Sequence, residues 1–281
     1  MIAGSPFNIA PEHTDYLVNL RNSRNIEIEM IDKPGFSIDV VVDTKLVRLP
    51  VPALEYLWAC GHFLWVTTQE YQAAQMRGET QLDFDRNARL ITAETLFEWA
   101  KQNIKTPNIN PWPIDLPSPK SFPKKHSDIH VANELFLSAI AWIIHHELAH
   151  VAFQHSGFVS VLEEKQADVE ATHRILAALD KSDPKLRKRA FGIAVALLCI
   201  QSLDAEMPRP TIETHPHAYE RIWHCFERYT IGDREDIEAF LVVGLLALFY
   251  KTGIIPNVEG NSFSKILSDM LFQISRQGPN N

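Results

Sequence analysis

Hydrophobic and polar positions along the chain predict a short strand region followed by a long series of helices. Three segments near the N-terminus are rich in β-branched residues, with turn residues between them. They predict an antiparallel meander over residues 26–31, 36–42 and 45–49. Further on, apolar residues recur at helical spacing. The predicted helices cover residues 53–75, 93–104, 130–154, 161–179, 185–204, 215–229, 235–251 and 262–275.

A proline-rich segment, Thr106–Pro123, interrupts this pattern. Its six prolines cannot belong to a regular helix or an interior strand, so we interpret the segment as a long ordered loop or a linker. The expected fold class is α+β and mainly helical, with the small meander preceding a helical body. We expect a single domain over 1–281, made of the meander with the first helices (1–105), the proline-rich loop (106–129) and the larger helical part (130–281).

Composition narrows the classes of protein that fit this pattern. The chain has 281 residues, of which 46% are hydrophobic, and this is enough apolar material for a sizeable core. A net charge of −8 without a long Lys/Arg run argues against a nucleic-acid partner. Three widely spaced cysteines indicate reduced core thiols rather than a disulfide framework.

The apolar segments are too short to predict a membrane-spanning helix. The longest uninterrupted run, Ala239–Tyr250, has twelve residues, whereas a bilayer requires about 20. The N-terminus lacks the basic and apolar segments of a signal peptide. We therefore expect a cytoplasmic protein without stable membrane insertion, with peripheral membrane association as the alternative.

The segment WIIHHELAHVAF, residues 142–153, carries the clearest candidate chemistry. His146-Glu147-Leu148-Ala149-His150 fits the pattern H-E-x-x-H. On a helix, the two histidines lie on one face and can bind one zinc ion, with Glu147 beside the bound water as general base. Because the surrounding helix is apolar almost all round, these polar groups need partners, and a metal ion would provide one.

A third ligand is predicted from the following helix. Glu164 and Asp168 are four residues apart in VLEEKQADVEATHRIL, so they share a face. We expect Glu164 to bind the metal and Asp168 to orient a ligating imidazole, with Asp168 as direct ligand the main alternative. Glu163 points elsewhere and is expected to face solvent or to cap the helix.

Neighbouring histidines fit less well. In the longer metzincin pattern, glycine and histidine would stand where the chain has Phe153 and Ser156, so His155 is out of register. His145 points to another face of the helix and is interpreted as a core or surface residue.

The segment THPHAYERI, residues 214–222, is a second candidate for catalysis. It has the pattern of a loop entering a helix. His215, Tyr219 and Arg221 could each stabilise the oxyanion that forms when water attacks a carbonyl. The alternative is a helix cap followed by surface charges.

Several segments resemble the Lit family of bacterial phage-exclusion peptidases. The resemblance lies in AIAWIIHHELAHV, EEKQADVEAT, KRAFGIAVALLCIQSL and THPHAYERI, and extends to SPFNIAPE, LEYLWA, FLWVTTQEY and SFSKILSDMLFQISR. It is thus spread over nearly the whole chain. The E-x-x-A-D and T-H-P elements are also similar to other gluzincin peptidases, in which the corresponding glutamate binds zinc.

This resemblance implies a zinc metalloendopeptidase of abortive-infection defence, with a zincin-like helical body and one Zn²⁺ per chain. It places zinc on His146 and His150, suggests Glu164 as third ligand, and assigns the catalytic base to Glu147. The family's substrate is elongation factor Tu (EF-Tu), which is cleaved when a short region of a phage head protein binds it.

Two alternatives remain at this point. One is a regulatory H-E-x-x-H peptidase that cuts another cytoplasmic protein. The other is a catalytically silent helical binding protein whose histidines form a hydrogen-bonded core. Zinc analysis separates the silent protein from both peptidases.

Overall fold

A computed structural model describes residues 2–79, 81–107, 109–155, 157, 159–204, 215–227, 234–250 and 260–276. Within these ranges it is mainly helical, which confirms the α+β, mainly helical class. The strands are Glu27–Ile31 (β1), Asp39–Val41 (β2) and Leu46–Pro50 (β3). The helices are Ser5–Ile9 (α1), Thr14–Arg24 (α2), Val51–Met76 (α3), Ala88–Asn103 (α4), Asp128–Phe153 (α5), Val161–Leu176 (α6), Pro184–Asp204 (α7), Ala218–Glu227 (α8), Arg234–Tyr250 (α9) and Phe263–Arg276 (α10).

The three strands pair differently from the predicted antiparallel meander. Their order is β1-β3-β2, with β1 parallel to β3 and β2 antiparallel to it. Only β2 and β3 are joined by a tight turn, in which the Lys45 N–H donates to the Val41 carbonyl oxygen. The longer link over residues 32–38 lets β2 form beyond β3, so that β3 occupies the centre. Accordingly, Val47 and Leu49 of β3 are fully buried, whereas β1 is largely exposed.

Helix α5 lies at the centre of the helical body. It packs against α1, α3, α6, α7 and strand β2. Among the described residues it is the one helix long and apolar enough to span a membrane, but 89% of its most apolar window is buried inside the fold. Such burial is expected of the core helix of a soluble protein.

A glycine allows α7 to approach α5 closely. A Cβ atom at Gly192 would lie 2.2 Å from the Cβ of Ser138 and 2.9 Å from its backbone carbon. No side chain fits at that position without moving one of the helices. The contact lies two turns before the H-E-x-x-H segment, so it fixes where that segment sits relative to α7.

The proline-rich segment is an ordered loop in the part that the structure describes. Its Asn110 exchanges hydrogen bonds with Asn103 at the end of α4, and Trp112 packs edge-on against Trp58 of α3. Asn133 of α5 donates to the Lys120 carbonyl oxygen. The loop therefore packs on three helices, as the ordered-loop interpretation predicted.

Candidate metal centre

The H-E-x-x-H residues lie on the last turns of α5, in the interior of the protein. His146, Glu147 and His150 are 6%, 8% and 4% exposed. Helix α6 runs beside this end of α5 and begins with a capping box between Ser160 and Glu163, which confirms that Glu163 caps the helix. One residue later, Glu164 is 3% exposed and faces α5.

Three donor atoms converge between these helices. One ligand atom each from His146, His150 and Glu164 lies within 4.8 Å of the other two. The Nε2 atoms of the histidines are 3.0 Å apart, and Glu164 approaches them at 3.3 and 3.5 Å. These three residues could therefore hold one metal ion.

Asp168 stands on the opposite side of His146 from the donor cluster. Its Oδ1 atom lies 2.9 Å from His146 Nδ1, so the carboxylate can accept that ring proton while Nε2 faces Glu164. Asp168 also accepts two hydrogen bonds from Arg221 of α8, at 2.7 and 2.8 Å. Both side chains are buried, so the result is an interior chain of contacts from His146 through Asp168 to Arg221.

The charges in this chain shift the ionisation of its members. Burial alone would raise the pKa of Asp168, but Arg221 and His146 together lower that pKa to about 2. Burial would lower the pKa of His146, yet the nearby carboxylates of Asp168 and Glu164 raise it to about 9. For His150, burial and the neighbouring His146 lower the pKa to about 4.

Glu147 faces a different side of α5, toward the small sheet. Burial is the main cause that raises its pKa to about 7. The nearby backbone of Val40 in strand β2 acts in the opposite direction and lowers this pKa. The candidate base therefore lies beside strand β2.

The candidate oxyanion residues have different surroundings; His215 precedes helix α8, and Tyr219 and Arg221 lie on it. The Nε2 atom of His215, whose side chain is 62% exposed, lies 3.4 Å from Glu164 Oε1. Arg221 is engaged with Asp168 and lies over the Trp142 ring, 5.6 Å from its centroid. The Tyr219 hydroxyl donates to Glu220 at 3.4 Å. His215 thus contacts a donor atom of the cluster directly.

Two contacts at the site could not be predicted from the sequence. His155, set aside as out of register, is 6% exposed, and its Nδ1 atom lies 3.0 Å from His150 Nδ1. The Val40 backbone also borders Glu147. A sequence pattern reports neither, because both depend on how the chain turns after α5 and on how β2 pairs.

Two comparisons with known proteins both indicate a peptidase. A sequence model of the family described as Peptidase U49 matches residues 47–241. The chain is 42% identical over 282 aligned positions to the "Cell death peptidase" of Escherichia coli (strain K12), which covers 98% of this chain and 95% of that protein. No solved structure matches the chain.

Proposed function

Because the chain belongs to the peptidase U49 family, we propose that it is a zinc-dependent endopeptidase with one metal ion held by His146, His150 and Glu164. The convergence of these three buried donor atoms is the observation that carries the proposal. A catalytically silent binding protein would not require three converging donor atoms, and membership of a peptidase family disfavours that alternative.

The donor set fits zinc. Two imidazoles and one carboxylate form the ligand set of many catalytic zinc sites, whereas Mg²⁺ and Ca²⁺ prefer oxygen donors. Glu164 Oε2 is fully buried and forms no well-directed hydrogen bond, so a cation would satisfy it. When bound, zinc supplies Lewis-acid chemistry, since it polarises a carbonyl group and acidifies water.

The side chains around the donors then take separate roles. Glu147 accepts a proton from the attacking water and returns it to the leaving amine. Asp168 holds the His146 ring through Nδ1, and Arg221 holds Asp168. His215 is the first candidate for stabilising the oxyanion, because its exposed ring lies beside Glu164. Tyr219 and Arg221 remain further candidates for that role.

The sheet edge next to Glu147 offers a place for the substrate backbone. Val40 of the outer strand β2 pairs opposite Val47 of β3, and its backbone lies near Glu147. An extended peptide that added to β2 would pass beside the base. This arrangement suits an endopeptidase, which must take a stretch of backbone rather than a chain end.

For the natural substrate we propose EF-Tu in the cytoplasm, cleaved when a phage head-protein peptide is present. The choice rests on the resemblance to the phage-exclusion peptidases. A regulatory peptidase that cuts a different cytoplasmic protein is the remaining alternative, and an assay with EF-Tu separates the two.

The test combines zinc content with cleavage. Purified protein should contain about one zinc per chain and should lose it in His150→Ala. Glu147→Gln should retain zinc but lower EF-Tu cleavage, with the phage peptide present, by about 10²- to 10⁴-fold, because general base catalysis contributes that much. Fragments are measured by mass spectrometry, with Glu163→Gln as the matched control. Cleavage by Glu147→Gln at the wild-type rate would contradict the assignment of the base.

A further inference from the structure

The end of α5 returns the chain toward the donor cluster. Gln154 adopts the left-handed conformation, with φ 59° and ψ 35°, and its N–H donates to the Val151 carbonyl oxygen at 3.3 Å. The His155 N–H donates to the His150 carbonyl oxygen at 3.0 Å. This pair of hydrogen bonds defines a Schellman motif, which reverses the chain at a helix C-terminus.

The reversal places His155 where a continuing helix could not. Five residues along a regular helix correspond to a rotation of about 140° relative to the starting residue, so the two rings would point apart. Instead the ring of His155 lies against that of His150, with centroids 5.0 Å apart and planes at 71°. Both side chains are buried, at 4% exposed for His150 and 6% for His155.

The two nitrogens of His150 have different neighbours. Nε2 faces the donor cluster, 3.0 Å from His146 Nε2 and 3.5 Å from Glu164. Nδ1 faces His155 Nδ1 at 3.0 Å, a distance at which the two atoms share one proton. If His150 binds a metal through Nε2, its own proton must be on Nδ1, and His155 must accept it.

We infer that His155 is the positioning residue of His150. It accepts a hydrogen bond from the Nδ1–H group of His150 and thereby holds that ring with Nε2 toward the metal. The inference rests on the proposed metal site. His155 thus holds His150 as Asp168 holds His146. The acceptor is an imidazole nitrogen for His150 and a carboxylate oxygen for His146. His155 itself acts only through His150, because its contact is on the side of that ring away from the donor cluster.

The experiment measures zinc affinity by competition with a chromophoric chelator, alongside the melting temperature of the metal-free protein. His155→Phe keeps a ring of similar size but removes the acceptor, so its zinc dissociation constant should rise about 10- to 100-fold. His155→Asn places an amide oxygen near the former Nδ1 position and should restore most of the affinity. His173→Phe, at an exposed position on α6, is the matched control and should bind zinc as the wild type does.

Each outcome decides a different point. If the wild type binds zinc and His155→Phe binds it equally well, the positioning role is wrong while the proposed function stands. If His155→Phe and His155→Asn lose affinity equally and both melt earlier without metal, His155 is a packing residue and the inference also fails. If the wild type itself takes up no zinc, the proposed function and this inference fall together.

Discussion

Removing either partner of the buried ion pair between Asp168 and Arg221 should destabilise the site region. Asp168 is 2% and Arg221 7% exposed, and two hydrogen bonds of 2.7 and 2.8 Å join them. Replacing Asp168 leaves the Arg221 guanidinium as an uncompensated buried charge, and replacing Arg221 leaves the Asp168 carboxylate with His146 as its remaining partner. We consider Asp168→Ala, Arg221→Met and the double variant, all as metal-free protein.

Each single substitution should cost about 3–5 kcal/mol, the usual loss when one member of a buried pair is removed. For 281 residues, an unfolding entropy of about 0.6 kcal/mol/K converts this loss into a fall in melting temperature of about 5–9 °C. The double variant removes both charges of the pair, so that no unpaired guanidinium remains. Its loss should therefore be smaller than the sum of the single losses by about 2–3 kcal/mol.

Calorimetry and urea unfolding of the four proteins complete a double-mutant cycle. A matched cycle on Arg187 and Asp236 serves as control, because this pair joins α7 to α9 at 2.7 Å but both side chains are about half exposed. Its coupling should stay within about 1 kcal/mol. If the losses at Asp168 and Arg221 simply add, the two residues do not form the interior pair that we describe.

The same variants separate stability from metal binding. Asp168→Ala removes the acceptor at His146 Nδ1 and should weaken zinc binding about 10- to 100-fold. Arg221→Met keeps that acceptor and should weaken zinc binding less. Complete loss of zinc in Asp168→Ala would instead make Asp168 a direct ligand, which is the alternative that the sequence left open.

Two further predictions concern residues outside the site. Gly192→Ala should lower stability by about 1–3 kcal/mol or more, because its new Cβ would overlap Ser138 of α5; urea unfolding measures this, and unchanged stability would contradict the close helix contact. Burial lowers the pKa of His62 to about 4 from its usual value of 6.5. Protonation therefore favours the unfolded chain, and the contribution of His62 to stability should be complete above pH 6.5 and fall by about 3 kcal/mol between pH 6.5 and 4. His62→Gln should lack that part of the acid-induced decline when unfolding is compared across this range, and equal declines would show that His62 does not titrate in this way.

Much of the helical body could be predicted from the sequence because its signals are local. The apolar run of α5, the i, i+4 spacing of His146 and His150, and the Ser160–Glu163 capping box each involve residues within a few positions of one another. Among the described residues the helix bounds agree to within about five residues, whereas the predicted helix ends at 229 and 251 lie outside those residues. The sequence pattern does not predict helix α2. Leu17 is its one buried residue, so the helix has almost no apolar face that the pattern could reveal.

The failures concern contacts between distant parts of the chain. Alternating residues identify a strand but not its partner, so the parallel pairing of β1 with β3 could not be read from them. The pairing of Arg221 with Asp168 joins residues 53 positions apart. His155 was assigned no role because its position depends on a left-handed Gln154, where glycine would have been the recognisable signal.

The placement of these polar groups follows from the nature of α5. Helix α5 is apolar on nearly every side, and burying imidazoles and a carboxylate in it costs free energy that partners from other elements can offset. Helix α6 brings Glu164 and Asp168, helix α8 brings Arg221, and the reversed end of α5 brings His155. Each imidazole thus has one nitrogen held by protein and the other directed at the same small volume. Because both rings stand on a packed helix rather than on a loop, the donor atoms are already placed for the metal ion that we propose.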